Sequence, residues 1–186
     1  MIDLTLKSLP DAVTVGGRDF FIKTDFRTWL NFEKTLKEDG IQSVKLNDIL
    51  QDFSPVPTNE EINEFIDKIF EFFESKNVCP KDYGGGGESV LDYQIDGDYI
   101  YAAFVEQYGI DLCDIEYLHW HKFLALVRSI SDDTMLGKIM SYRGYKNSGN
   151  KSYEKQMKEL KAIWALPIIY TDKEKQQMKE FDDYFG

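Results

Sequence analysis

Two apolar-rich segments, Val13-Thr14-Val15 and Asp19-Phe20-Phe21-Ile22, flank the pair Gly16-Gly17. The two glycines supply the positive φ angles of a tight turn, so a small N-terminal β-hairpin is expected. A helical period follows. Phe26, Trp29, Leu30 and Leu36 recur at helical spacing, with Thr24 or Asp25 as the cap and Asp39-Gly40 as the stop. A short helix is predicted over 45–51. Pro55 and Pro57 interrupt the chain, and Thr58 with Glu61 three residues later forms a capping box for the next helix. There Ile62, Phe65, Ile66, Ile69, Phe70, Phe72 and Phe73 fall within an arc of about 160° at 100° per residue, a broad apolar face that something must cover.

Beyond this helix lies the run Gly84-Gly85-Gly86-Gly87, which reads as a flexible linker over 81–89, because glycine loses the most freedom on ordering. Ile100, Tyr101, Phe104, Val105 and Tyr108 predict a helix sharing one apolar face and ended by Gly109. A second helix, apolar over more than half its circumference, is predicted over 115–130 as the buried centre of the fold. Ser131 or Asp132 restarts a short helix through Tyr142. A polar loop over 144–150 then leads into an exposed charged helix over 151–166, where Glu154 and Lys158 pair across one turn before Pro167. The last element, 172–185, places Met178, Phe181 and Phe185 near one face with Tyr184 beside them. There is no internal repeat. The predicted fold class is mainly α, a helical bundle-like arrangement with a small N-terminal hairpin. Its organisation is a hairpin and helical lobe over 1–80, the linker over 81–89, a helical core over 90–170 and an amphipathic helix over 171–186. An alternative is that all of these pack as one domain.

A chain of 186 residues can build a core without disulfide staples. Thirteen Phe, eleven Tyr and three Trp supply the side chains that dominate core and interface burial. The net charge of −11 opposes nonspecific attraction to nucleic acid or to an anionic membrane. Cys79 and Cys113 lie far apart and read as reduced thiols. The opening MIDLTLKSLPDAV lacks the basic and apolar regions of a signal peptide, and no stretch approaches eighteen apolar residues. A cytoplasmic location is expected.

The densest information lies in DGDYIYAAFVEQYGIDL (96–112), LHWHKFLALV (118–127) and DDTMLGKIMSYR (132–143), with TDFRTWLNFE (24–33) upstream. As a set these strings resemble the bacteriophage gene-product-fifteen family, over about two thirds of the chain. Members of that family lie where siphophage tail assembly chaperones lie, after the tail tube gene and before the tape measure gene. The resemblance therefore implies tail assembly in the cytoplasm of a host cell. The glycine run is not part of that pattern.

No constellation of residues supports catalysis. His119 and His121 form an His-x-His string, but residues two apart on a helix point about 200° away from each other and cannot clamp one ion. His119 is expected to pack among Leu118, Phe123 and Leu126, and His121 to be solvated near Arg128. Asp92, Asp96 and Gly97 have partial EF-hand spacing, yet Gln94 and Ala103 stand where ligands are needed. Asp96 and Asp98 are better explained as an acidic first turn complementing the helix dipole. Cys79 with a histidine lacks an orienting group and an oxyanion donor, and the glycine run lacks the Lys-Ser/Thr of a P-loop. From 141 to 161 there are six basic and two acidic residues with Tyr142, Tyr145 and Tyr153 among them. Nucleic acid could bind such a stretch, but a solvated helix face is the plainer account, and an acidic protein segment would serve as well as RNA or DNA.

These observations predict a non-enzymatic tail morphogenesis protein without cofactor or metal. Its leading role is a tail assembly chaperone, or a cofactor of one, that masks the tape measure protein before the tube closes and is absent from the mature virion. A structural virion protein, such as a tail completion or connector subunit, is the alternative. The expected partners are the tape measure protein, a second chaperone or the tail tube protein, with a homo-oligomer left open. The expected covering surface comprises Phe65 and Phe72, together with Met178, Phe181, Tyr184 and Phe185.

Overall fold

A computed structural model describes residues 2–74, 89–146 and 151–167. In chain order these form β1 (Ala12–Val15), β2 (Arg18–Phe21), α1 (Phe26–Glu38), a 3-10 turn (Ile41–Ser43), α2 (Leu46–Ile49), α3 (Ile62–Glu74), α4 (Gly97–Tyr108), α5 (Trp120–Arg128), α6 (Met135–Arg143) and α7 (Lys151–Ile163). The fold is mainly α-helical with a two-stranded antiparallel hairpin, as the periodicity predicts. Gly16 and Gly17 take φ of 55° and 80°, two successive left-handed residues that set Val15 opposite Arg18. The glycine run 84–87, Cys79 and the segment 168–186 lie outside the described residues.

Local signals explain most helix ends. The Asp25 carboxylate accepts from the Arg27 N–H at 3.0 Å to cap α1, and Gly109 ends α4 in the left-handed region at φ 64°. Other boundaries differ from expectation. The capping box is half made, since the Thr58 N–H donates to Glu61 at 2.9 Å, and Glu61 also receives Arg18. Residues 59–61 form a turn, so the α-helix begins only at Ile62. α5 starts at Trp120 rather than 115, because the preceding backbone is engaged elsewhere. The Phe26 N–H donates to the Leu118 carbonyl at 2.9 Å, and the Trp120 N–H donates to the Thr24 carbonyl at 2.7 Å. α6 is capped by Thr134, whose hydroxyl accepts from the Gly137 N–H at 3.0 Å, and not by Ser131 or Asp132. The buried side of α4 is also rotated from expectation. Ile100, Ala103 and Phe104 face inward, whereas Tyr101 and Val105 are exposed, because Ala103 permits close approach and the Tyr101 hydroxyl is drawn outward to Asp111.

The apolar face of α3 is covered by the hairpin, α1 and α5. Phe20 meets Phe65 edge-on at 5.5 Å, and Trp29 lies 4.8 Å from Phe72. Phe73 stacks on Trp120 at 5.5 Å with the rings 4° from parallel, and Phe123 continues the stack to Phe26 and Phe104. Side chains from before residue 75 and after residue 88 thus share one core. Both central indoles are satisfied, with Trp29 Nε1 donating to the Lys23 carbonyl and Trp120 Nε1 to the Phe73 carbonyl, each at 2.9 Å.

A buried ion pair joins α6 to the start of α4. Arg143 grips Asp96 with Nη1 on Oδ2 at 2.6 Å and Nη2 on Oδ1 at 2.9 Å, while its other donors reach the Val90 and Trp164 carbonyls. Asp96 does not act as the dipole-complementing residue expected of it; its side chain makes no helix cap bond and is fully enclosed. Removing one partner leaves the other charge buried and alone. Arg143→Met is therefore expected to cost about 3–5 kcal/mol in urea unfolding, whereas the double variant Asp96→Leu/Arg143→Met recovers most of that loss. Gly137 gives a second test. A Cβ there would strike the Ser131 carbonyl oxygen and lie 2.7 Å from Asp132 Cα, so Gly137→Ala should lower stability by about 1–3 kcal/mol in the same assay despite better helix propensity.

Candidate functional site

The residues expected to bind a partner divide between two places. Phe65 and Phe72 are 1% and 6% exposed, so in this conformation they are core residues and offer no surface. The same broad apolar face that marked α3 as a binding element is consumed by β1, Trp29 and Trp120. Met178, Phe181, Tyr184 and Phe185 lie outside the described residues.

The histidines sit together but are not a metal clamp. His119 is the residue before α5, so the helical-wheel separation does not apply to it. Its Nδ1 accepts from the His121 N–H at 3.0 Å, which leaves Nε2 protonated to donate to the Pro10 carbonyl at 3.0 Å. His121 is buried rather than solvated. Its ring packs 4.4 Å from Phe72, and Nε2 lies 2.8 Å from the Phe72 carbonyl, which makes Nε2 the protonated nitrogen. Its Nδ1 is then an enclosed acceptor without a hydrogen-bond partner. The ring centroids are 5.2 Å apart, and among the described residues no group of three His, Cys, Asp or Glu side chains could hold a metal. Both rings are neutral supports that fasten α5 to the C-terminal end of α3 and to the strand approach at Pro10.

The acidic turn is structural as well. Asp92 Oδ1 accepts from the Gln94 and Ile95 N–H groups, and Oδ2 accepts from Lys37 Nζ at 2.9 Å. Burial raises its pKa, but those donors outweigh burial and hold the carboxyl below its ordinary range. Both Asp92 oxygens are engaged by donors of the protein itself. In the basic stretch, Arg143 is spent inside the fold on Asp96, and Lys158 pairs with Glu154 at 2.7 Å. Tyr145 packs edge-on against Tyr153 at 6.0 Å instead of presenting a stacking platform. Cys113 is an exposed free thiol.

Exposed apolar side chains and an open groove beside His119 also lie at the surface. The groove, about 430 Å³, is lined by Leu6, Leu9, Thr24, Tyr117, His119 and Lys122 among others. It holds no nucleophile and base in contact. Leu4, Leu6, Phe53, Val56, Tyr101 and Val105 are all exposed. Sequence reasoning missed Asp96 with Arg143 because a bidentate pair 47 residues apart leaves no local trace. It missed the exposed leucines although Ile2, Leu4 and Leu6 alternate visibly with polar residues.

Burial favours the neutral ring of His121 and brings its pKa from 6.5 down to about 4, and burial lowers His119 in the same direction. Between those values the unfolded chain holds a proton that the folded chain excludes. Stability is therefore full above pH 6.5 and is lost as pH falls towards 4, by on the order of 3 kcal/mol from His121. His121→Gln, which keeps an amide donor for the Phe72 carbonyl and removes the titration, should flatten the slope of urea-unfolding stability against pH across this window.

No helix among the described residues is long and apolar enough to cross a membrane. Comparison with curated proteins and with solved structures finds no match. A family model does match, that of the Bacteriophage Gp15 protein, over residues 6–166. That span takes in the hairpin, all seven helices and both ends of the buried ion pair. The chain belongs to the bacteriophage Gp15 family and is a phage-encoded structural or morphogenesis protein.

Proposed function

We propose that this protein is a tail assembly chaperone, or a cofactor of one, which covers the tape measure protein before the tail tube closes around it. The observation that carries this reading is the family match over residues 6–166. The physical character of the chain agrees with it. A tape measure protein is a long helical chain whose apolar stripes aggregate unless masked. An acidic chain at −11, with its polar clusters committed to structure and apolar side chains left outside, suits a reversible mask better than a reaction centre.

Since α3 spends its apolar face on the core, Phe65 and Phe72 enter the proposal only as the rigid support beneath the binding surface. The covering contacts fall to Met178, Phe181, Tyr184 and Phe185, whose spacing makes one aromatic edge when helical. A second chaperone or the tube protein would displace them in turn. The mask acts in the host cytoplasm and leaves before the particle matures.

Co-expression with the tape measure protein encoded beside it should render that partner soluble, and the two should co-elute on size exclusion. Truncation before Asp172 is expected to cut the recovered complex by roughly tenfold, the loss typical of removing a small aromatic cluster from an interface. An insoluble tape measure protein, together with this chain in purified virions, would replace the chaperone role with that of a tail completion or connector subunit.

A further inference from the structure

On the outer side of β2, the Gln51 N–H donates to the Phe21 carbonyl at 3.0 Å and, just past the strand, the Lys23 N–H donates to the Ile49 carbonyl at 2.7 Å, so the segment 49–51 covers the C-terminal end of that edge. No segment among the described residues bonds to the outer edge of β1 in this way. The hydrogen bond from the Ile22 N–H to the Asp11 carbonyl, with the register Ala12 to Phe21 and Val13 to Phe20, fixes which residues of β1 bond to β2. Asp11, Val13 and Val15 point their backbone groups inward, and Ala12 and Thr14 point theirs outward. Those outward N–H and C=O groups meet no partner among the described residues. β1 reads Ala-Val-Thr-Val and carries none of the lysines, prolines or bulges that usually blunt an edge. Beside it stands an apolar shelf. Ala12 is small and sits opposite Phe21, whose ring lies 5.3 Å from that of Phe53, itself 73% exposed.

The same chain holds a segment that fits this edge. Ile2-Asp3-Leu4-Thr5-Leu6-Lys7 alternates apolar and polar residues with the period of a strand, yet here it is curled into a turn by local bonds from Thr5 and Leu6 to Asp3. The curl leaves Leu4 93% and Leu6 61% exposed. The connection to β1 is held beside the strand, with the Pro10 carbonyl on His119 and the Asp11 carbonyl on Ile22. The segment therefore runs off towards Thr24, Tyr117 and Lys122, away from the edge of its own β1.

We propose that residues 2–7 of one copy add as a third strand to the open edge of β1 in a second copy, with Leu4 and Leu6 laid over Ala12 on the side of the sheet that carries Phe21. The Ala12 and Thr14 backbone groups supply the hydrogen bonds, and the leucines leave water on the aromatic shelf. Donor segment and acceptor edge are different surfaces, so each copy offers one of each. This self-association does not depend on the chaperone role.

Sedimentation velocity of the full chain over a dilution series tests the proposal. The wild-type chain should associate reversibly with a dissociation constant tighter than about 100 μM. Thr14→Pro removes one outward N–H but leaves the inward bonds of Val13 and Val15, and Leu4→Lys/Leu6→Lys disables the donor segment. Each variant alone should associate at least about tenfold more weakly, with unchanged circular dichroism. A mixture of the two restores one productive contact, so a 1:1 heterodimer should reappear. A wild-type chain that stays monomeric would overturn the proposal, and so would a segment that pairs with its own β1, which leaves the chain monomeric. So would association that the leucine variant leaves unchanged, a variant too exposed to endanger the fold, or a mixture that stays monomeric when both variants are folded.

Discussion

Two backbone hydrogen bonds, from Phe26 to Leu118 and from Trp120 to Thr24, hold the rest of this fold in place. They form an antiparallel bridge between Asp25 and His119, far apart in sequence, from which α1 and α5 both depart. Asp25 serves both helices at once, capping α1 through the Arg27 N–H and accepting from the Leu118 N–H at 3.3 Å. With the two starts pinned, Trp29 and Trp120 come within reach of Phe72 and Phe73 near the C-terminal end of α3. The stack, the neutral histidines and the buried indoles follow from that geometry.

The elements were legible wherever a single residue decides the backbone. Gly16-Gly17 specifies its turn by positive φ, Gly109 ends α4, and the seven apolar positions of α3 announce a helix that must be covered. Legibility failed where a distant partner decides. Residues 115–119 have helical periodicity, but Thr24 and Phe26 take their backbone bonds, and tertiary pairing overrides propensity. His121 read as solvated on a wheel drawn from the wrong start, and Asp96 read as a dipole partner because nothing near it names Arg143. A broad apolar stripe, equally, does not say whether core or partner will cover it, and for Phe65 and Phe72 the answer is core.

The polar interior explains why the chemistry sought in the sequence is absent from the described residues. Each charged or titratable cluster is closed on itself: Asp96 by Arg143 and the Asp92 N–H, Asp92 by Lys37, and His119 by Pro10 and His121. Such pairs add little net stability over apolar packing, but removing one member strands the other as an uncompensated buried charge.

Arg143 also sets a clock. It donates to carbonyls on either side of it in the chain, Val90 and Trp164, and Asp96 precedes it by 47 residues. At a translation rate of about 5–20 residues per second, roughly 2–10 s pass between synthesis of the carboxylate and of its guanidinium partner. Over that interval an unpaired Asp96 favours water, and α4 has no reason to close against the later helices. The last carbonyl that Arg143 requires is added only when residue 164 is made, so the full set of acceptors around this guanidinium waits on the completion of α7.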